Sequence, residues 1–199
     1  MFFYPTISRA KRLHIICLSN GGYDGLGEQR EKELQRAARR LGASATCVNN
    51  AALQDGPHAW DPSVVAANVG PWLHAGAVVV TFDRYGASGH ANHVAVYHGA
   101  APASFARRGD GVTRDARRHC RFYALETAPH YRRYIGAFDV LCAAVRARFD
   151  PRPSVLVASL DVRGCYAALA AHASQLVWFR RLFVVFSAYT YANRLVVID

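Results

Sequence analysis

Ala77-Val78-Val79-Val80-Thr81-Phe82-Asp83, running on into Arg84-Tyr85-Gly86-Ala87-Ser88-Gly89-His90-Ala91-Asn92-His93, holds the most apolar strand-like run of the chain and the turn that follows it. A β-branched run ends in an acid, a Gly/Ser turn follows, and a helix is expected to start at His90. That order sets polar side chains at the carboxyl end of a buried strand, where open α/β sheets bind their ligands. His90 and His93 stand at i and i+3, so on a helix they share one face. Neutral imidazole is the commonest zinc ligand, but a catalytic zinc takes three protein ligands. The pair alone therefore leaves a metal site and an ordinary helix start both open.

Working outward, Leu13 to Leu18 reads as a buried strand and Ser19 to Gly25 as a turn-rich loop. A helix is expected from Leu26 to Leu41, capped by Gly42, then a short strand at Ala45-Thr46-Cys47-Val48. Asp61-Pro62 opens a further helix reaching about His74, with a kink expected at Pro71. Beyond the central strand, a helix runs from His90 to about Tyr97. The segment Arg107 to Arg118 reads as a charged loop, Arg121 to Glu126 and Ser154 to Ala158 as strands, and Val162 to Ala188 as helical and aromatic. This alternation predicts an α/β fold: a Rossmann-like, mostly parallel sheet flanked by helices, in a single domain over residues 1–199.

With 199 residues, 52% of them hydrophobic, the chain is long and apolar enough to bury a full core. Its net charge of +10 favours anionic partners such as lipid head groups or phosphorylated substrates. The basic residues are scattered arginines with no helix-turn-helix, zinc-finger or ribonucleoprotein-type motif, so nucleic acid is not expected. Cys17, Cys47, Cys120, Cys142 and Cys165 contain no C-x-x-C pair and read as reduced, mostly buried thiols. No signal peptide is visible. The apolar run Leu182 to Asn193 falls short of the roughly 20 residues that a bilayer span needs.

Several segments, in order, carry a family resemblance. They are Cys17-Leu18-Ser19-Asn20-Gly21, Asp24-Gly25-Leu26-Gly27 leading to Arg30-Glu31-Lys32-Glu33-Leu34, and Leu53-Gln54-Asp55-Gly56-Pro57. Thr81-Phe82-Asp83, Tyr85-Gly86, Ser88 to His93, Tyr134-Ile135-Gly136 and His172 to Arg180 complete the set. Together they resemble the eukaryotic N-acetylglucosaminyl-phosphatidylinositol de-N-acetylase (PIG-L) family, a branch of the LmbE-like zinc deacetylases. The resemblance implies hydrolytic removal of acetate from a glycolipid, the second step of glycosylphosphatidylinositol (GPI) anchor synthesis. It also implies work at the cytoplasmic face of the endoplasmic reticulum membrane.

By the same resemblance His93 is a zinc ligand and His90 lies beside the developing oxyanion. A hydrogen-bond donor there is worth on the order of 100- to 1000-fold in rate. The family's other two ligands and its general base belong to an early His-Pro-Asp-Asp-Glu turn that this sequence does not contain. Met1 to Ile7 is similar to the helix start that follows that turn. The expectation is a chain that is N-terminally incomplete, missing its first central strand, through a late-assigned start codon or a true truncation, and inactive as it stands.

Every other candidate has an ordinary reading beside the functional one. Arg30 suits a phosphate or sugar hydroxyl, or an exposed helix pair with a glutamate. Asp55 suits sugar hydroxyls or a plain turn, and Asp83 suits support of a metal ligand or a turn cap. His172 and Gln175 share a helix face. Trp178, Arg180 and Arg181 suit a membrane-surface helix, and the aromatic stripe from Trp178 to Tyr191 equally suits a core. Two other functions stay open: a non-catalytic relative that binds glycolipid or a partner protein, and a deacetylase of a soluble amino sugar.

Overall fold

The computed structural model describes residues 2–102 and 119–198, and the charged segment expected at Arg107 to Arg118 lies outside them. Among the described residues there are six strands; five fall where the sequence predicts them, and the sixth, Ala192–Val197, does not. Helix α1 (Tyr4–Arg9) leads to β1 (His14–Cys17), α2 (Gly27–Arg40), β2 (Ser44–Cys47), α3 (Pro62–Val69) and β3 (Val78–Phe82). A tight non-helical turn, labelled α4 (Gly86–Gly89), precedes α5 (Ala91–Ala100) and β4 (Arg121–Leu125). Then come α6 (Asp139–Phe149), β5 (Ser154–Ala158), α7 (Val162–Ala170), α8 (Trp178–Phe186), α9 (Ala188–Tyr191) and β6 (Ala192–Val197).

Local chemistry sets these boundaries. Asp61 accepts the Ser63 N–H ahead of Pro62, a side-chain cap with proline in the first turn, and so starts α3. Pro71 has no N–H to continue the helix. The expected kinked helix therefore ends at Val69 and tightens into a 3-10 turn over Gly70–Trp72. Helix α2 buries Ala37 and Ala38 and turns its charges outward, with one exception. Glu33 is fully buried and accepts bonds from the Ser174 N–H at 2.9 Å and the Ser174 hydroxyl at 2.6 Å. These bonds tie α2 to the turn before α8.

The strands form two sheets. β1 and β2 pair in parallel, and a second sheet has the order β3-β4-β6-β5. β3 and β4 are parallel, whereas β6 runs antiparallel to both β4 and β5. The sheet is thus mixed on its β6 side. Strand β6 escapes a reading of the sequence because it carries Asn193 and Arg194, polar residues in a strand that is buried almost throughout. Both find partners far along the chain. Arg194 donates to Glu126 at 2.8 Å and to Asp150 at 3.1 Å. Asn193 donates to the Phe2 carbonyl and accepts from the Thr6 N–H and hydroxyl, fastening α1 to the sheet.

The outer edges of β1 and β3 are not joined to each other, and the two sheets are bridged by side chains. Leu18, Leu53, Val65, Val69 and Phe122 form one core cluster with Ile16 and Val79 packed on it. His14, at the start of β1, stacks on Trp72, just ahead of β3. At the other end, Asp55 accepts a bond from Asn92 in α5 at 3.3 Å. The carboxyl ends of β1 and β3 therefore point the same way, and a cleft of about 1330 Å³ lies between the strands.

Asn193 supplies a direct test of how α1 is held. Asn193→Ala removes its partners at Phe2 and Thr6 and is expected to cost about 1–3 kcal/mol in urea denaturation. A change within error of zero contradicts this account of α1.

Candidate functional site

Gly86 begins the turn at the carboxyl end of β3. It has φ +63°, and a Cβ there would stand 2.8 Å from His93 Cβ, so glycine is required on both counts. Ala87 follows at φ 59°, an uncommon left-handed conformation for a residue with a side chain. Its surroundings hold it there. Its N–H donates to Thr127 Oγ1 at 3.0 Å, and its carbonyl accepts the Tyr189 hydroxyl at 3.2 Å. The Tyr189 hydroxyl in turn accepts the Ala128 N–H at 2.9 Å.

Asp83 completes the brace. Its carboxylate accepts the Thr127 N–H at 2.7 Å, the Thr127 hydroxyl at 2.5 Å and the Tyr85 N–H at 3.0 Å. Its bonds go to Thr127 and the turn, not to a histidine. Thr127 and Tyr189 are the residues that a reading of the sequence overlooks. Thr127 lies just past the end of β4, the strand beside β3, which is the one signal that points to it.

The turn exists to aim His93. His93 Nδ1 stands 2.9 Å from the Gly86 carbonyl oxygen. A carbonyl only accepts, so the proton sits on Nδ1 and the Nε2 lone pair is free. Phe82 stacks on the ring with centroids 4.1 Å apart, and Phe2 meets it edge-on at 5.8 Å. Burial pushes the His93 pKa below its ordinary value, and nearby His90 adds to the effect. The group is neutral at pH 7.

His90 has the opposite arrangement. It caps α5, and its Nδ1 accepts the Asn92 N–H at 3.3 Å. An amide only donates, so Nδ1 is unprotonated in that bond and the proton is on Nε2. The two rings lie 5.2 Å apart. One histidine thus presents a lone pair and its neighbour a donor. These are the complementary requirements of an electrophile and an oxyanion.

His90, His93, Asp55 and Arg30 all line the cleft, together with Asn20, Asn92, His172 and Gln175. Arg30 is not a free phosphate clamp. It donates to the Gly21 carbonyl and pairs with Asp24 at 3.0 Å, bracing the loop after β1. Several side chains in the wall hold buried polar atoms with no protein partner: Asn20 Oδ1, Arg30 Nε, Thr81 Oγ1, Asn92 Oδ1 and His172 Nδ1. Such atoms are rare in a finished core, and their gathering around one cleft suits a polar ligand. Asp83, Trp178, Arg180 and Arg181 do not line it.

Among the described residues no group of three His, Cys, Asp or Glu side chains is placed to hold a metal ion. His93 offers one well-formed donor. It does not by itself make the three-ligand set of a catalytic zinc.

Two measurements test this geometry. Gly86→Ala is expected to destabilise the fold by about 1–3 kcal/mol, because it forces a strained φ and a close approach to His93. An unchanged denaturation midpoint contradicts this. His93 is expected to titrate below the ordinary histidine value of about 6.5 in an NMR pH series. Because the folded value is depressed, its contribution to stability is complete above about pH 6.5 and is lost as pH falls towards the folded value. A midpoint at or above 6.5 overturns the burial argument.

Comparison with known proteins bears on what the cleft is for. The family described as GlcNAc-PI de-N-acetylase (PIG-L) matches residues 1–104. A probable N-acetylglucosaminyl-phosphatidylinositol de-N-acetylase of Schizosaccharomyces pombe is 33% identical over 97% of this chain and 79% of its own length. The Bos taurus enzyme of that name is 33% identical over 98% of this chain and 77% of its own. The Saccharomyces cerevisiae enzyme is 28% identical over 97% and 75%. With a family match over residues 1–104 and relatives 33% identical across nearly all its length, this chain belongs to the GlcNAc-PI de-N-acetylase (PIG-L) family.

Proposed function

We propose that the protein is a hydrolase that removes the acetyl group of N-acetylglucosaminyl-phosphatidylinositol, giving acetate and glucosaminyl-phosphatidylinositol in the second step of GPI anchor synthesis. The observation that carries this reading is the cleft itself. Complementary histidines stand in its wall beside Asn20, Asn92, Thr81 and His172, each of which keeps a buried polar atom without a protein partner.

In amide hydrolysis, water oxygen adds to the acyl carbon, the carbonyl oxygen gains negative charge, and the C–N bond breaks as the amine takes a proton. His90 is assigned the donor role, its Nε2–H facing the developing oxyanion. His93 is assigned to a divalent metal as one ligand through Nε2. A bound zinc would polarise the carbonyl and bring the pKa of its water to about 7. Asp55, held by Asn92, is assigned to sugar hydroxyls. Arg30 shapes the loop that contacts the head group, and Asp83 acts at a distance as the brace of the His93 turn.

A lipid-borne substrate calls for contact with a membrane surface. No helix among the described residues is long and apolar enough to cross a bilayer. Helix α8 instead leaves Trp178 73%, Phe179 54% and Leu182 50% exposed. Arg181 is exposed beside them, whereas Arg180 turns in to donate to the Gln175 carbonyl at 3.0 Å and its side-chain oxygen at 2.9 Å. The inner side of α8 reaches the site, for Phe183 packs on Phe2, which packs on His93. We assign Trp178 and Arg181 to an anionic phospholipid surface, Arg180 to support of the cleft wall, and the protein to the cytoplasmic face of the endoplasmic reticulum membrane.

The reaction is tested by acetate release from N-acetylglucosaminyl-phosphatidylinositol. In a form of the protein that carries the metal-binding and base residues of the His-Pro-Asp-Asp-Glu turn and releases acetate, His90→Ala is expected to lower kcat on the order of 100- to 1000-fold with little change in KM. Equal activity of the variant and the original removes His90 from the chemistry, and a preference for lipid-free N-acetylglucosamine favours a soluble amino-sugar enzyme. Vesicle flotation with anionic lipid is expected to lose protein when Trp178 and Arg181 are changed to Ala and Glu. Unchanged flotation of the folded double variant excludes α8 as the contact.

A further inference from the structure

Two cysteines that are thirty residues apart in sequence meet in the wall of the cleft. Cys17 and Cys47 are register partners at the carboxyl ends of the parallel strands β1 and β2. Register partners on adjacent parallel strands project to the same face, and the strands lie about 4.7–4.9 Å apart. That spacing falls within the roughly 4.4–6.8 Å Cα separation that disulfides span. Both residues line the cleft, both are partly exposed, and both are free thiols. Neither has a role in the deacetylation described above.

We propose that Cys17 and Cys47 form a peroxide-responsive thiol pair that closes reversibly to a disulfide beside the substrate cleft.

The pair is polarised in a way that assigns the roles. The neighbouring Cys47 thiol is the largest influence holding the Cys17 pKa below its ordinary value, against burial and the carboxylates of Glu31 and Asp55. The neighbouring Cys17, with burial, pushes Cys47 up. Cys165 and Cys120 are both pushed up by burial. Cys17 is therefore the nucleophile and Cys47 the resolving thiol. The Cys17 thiolate attacks one oxygen of hydrogen peroxide, the O–O bond breaks, and hydroxide leaves, forming a sulfenic acid. The Cys47 sulfur then attacks the Cys17 sulfur and expels its oxygen as water. Two thiols lose two electrons and two protons, and one peroxide becomes two waters.

A disulfide between two partly exposed residues is open to reduction, as suits a sensing bond. The loop Ser19-Asn20-Gly21, which lines the cleft and anchors Arg30, begins just past Cys17, whose Sγ donates to the Ser19 carbonyl at 3.1 Å. Closing the disulfide breaks that bond at the site's edge.

The test is peptide mapping of the whole chain under non-reducing conditions. The protein is treated with a small excess of hydrogen peroxide and capped with iodoacetamide. The expected product is a Cys17–Cys47 linked peptide that disappears with dithiothreitol, while Cys120, Cys142 and Cys165 are capped as thiols. In Cys47→Ser, checked for folding by circular dichroism, dimedone is expected to trap a sulfenic acid at Cys17. In Cys17→Ser, Cys47 is expected to remain a thiol. Capping of Cys17 and Cys47 at the same extent as the other three after peroxide overturns the proposal, and so does linkage of any other pair.

Discussion

The hydrogen bond from His93 Nδ1 to the Gly86 carbonyl is the constraint on which the site depends. It fixes which nitrogen of His93 faces the cleft. The bond is possible only because the chain leaves β3 through two successive left-handed residues, Gly86 and Ala87. A strained alanine persists only where its surroundings over-determine it. Here Thr127 and Tyr189 hold its amide and carbonyl, and Asp83 holds Thr127. The network draws on β3, the end of β4, α9 and the start of α5, so the local aim of one imidazole depends on packing across the second sheet.

The same logic separates the two histidines. They sit three residues apart and share a helix face, and sequence spacing alone treats them alike. Their backbone environments do not. Gly86 offers His93 an acceptor, and the open first turn of α5 offers His90 a donor. Opposite tautomers follow, and with them the different roles of metal donor and oxyanion donor that family resemblance implies. Burial keeps His93 neutral, as a ligand must be.

Much of this was legible in the sequence, and the remainder was hidden for definite reasons. The β-branched run ending at Asp83 declared β3, Asp61-Pro62 declared the start of α3, and ordered motifs declared the family. Strand β6 was hidden because its buried Arg194 and Asn193 find their partners at Glu126, Asp150 and Phe2, far away in the chain. The role of Asp83 was only half legible, since its partner Thr127 lies beyond a whole βαβ crossover. Arg30 reads either as an anion-binding group or as an ion-paired helix arginine, and Arg180 either as a lipid contact or as part of a core helix, yet each donates to a backbone carbonyl nearby. Periodicity gives no warning of such local capture. The pairing of Cys17 with Cys47 was hidden likewise, because register between strands is not written in either strand alone.

The fold presents a lone pair on His93 and a donor on His90. Imidazole nitrogen-15 chemical shifts of the two residues near pH 7 report where each proton sits. The expected result is a proton on Nδ1 of His93 and on Nε2 of His90. A proton on Nε2 of His93 would contradict it, because the nitrogen facing the cleft would then have no lone pair to give.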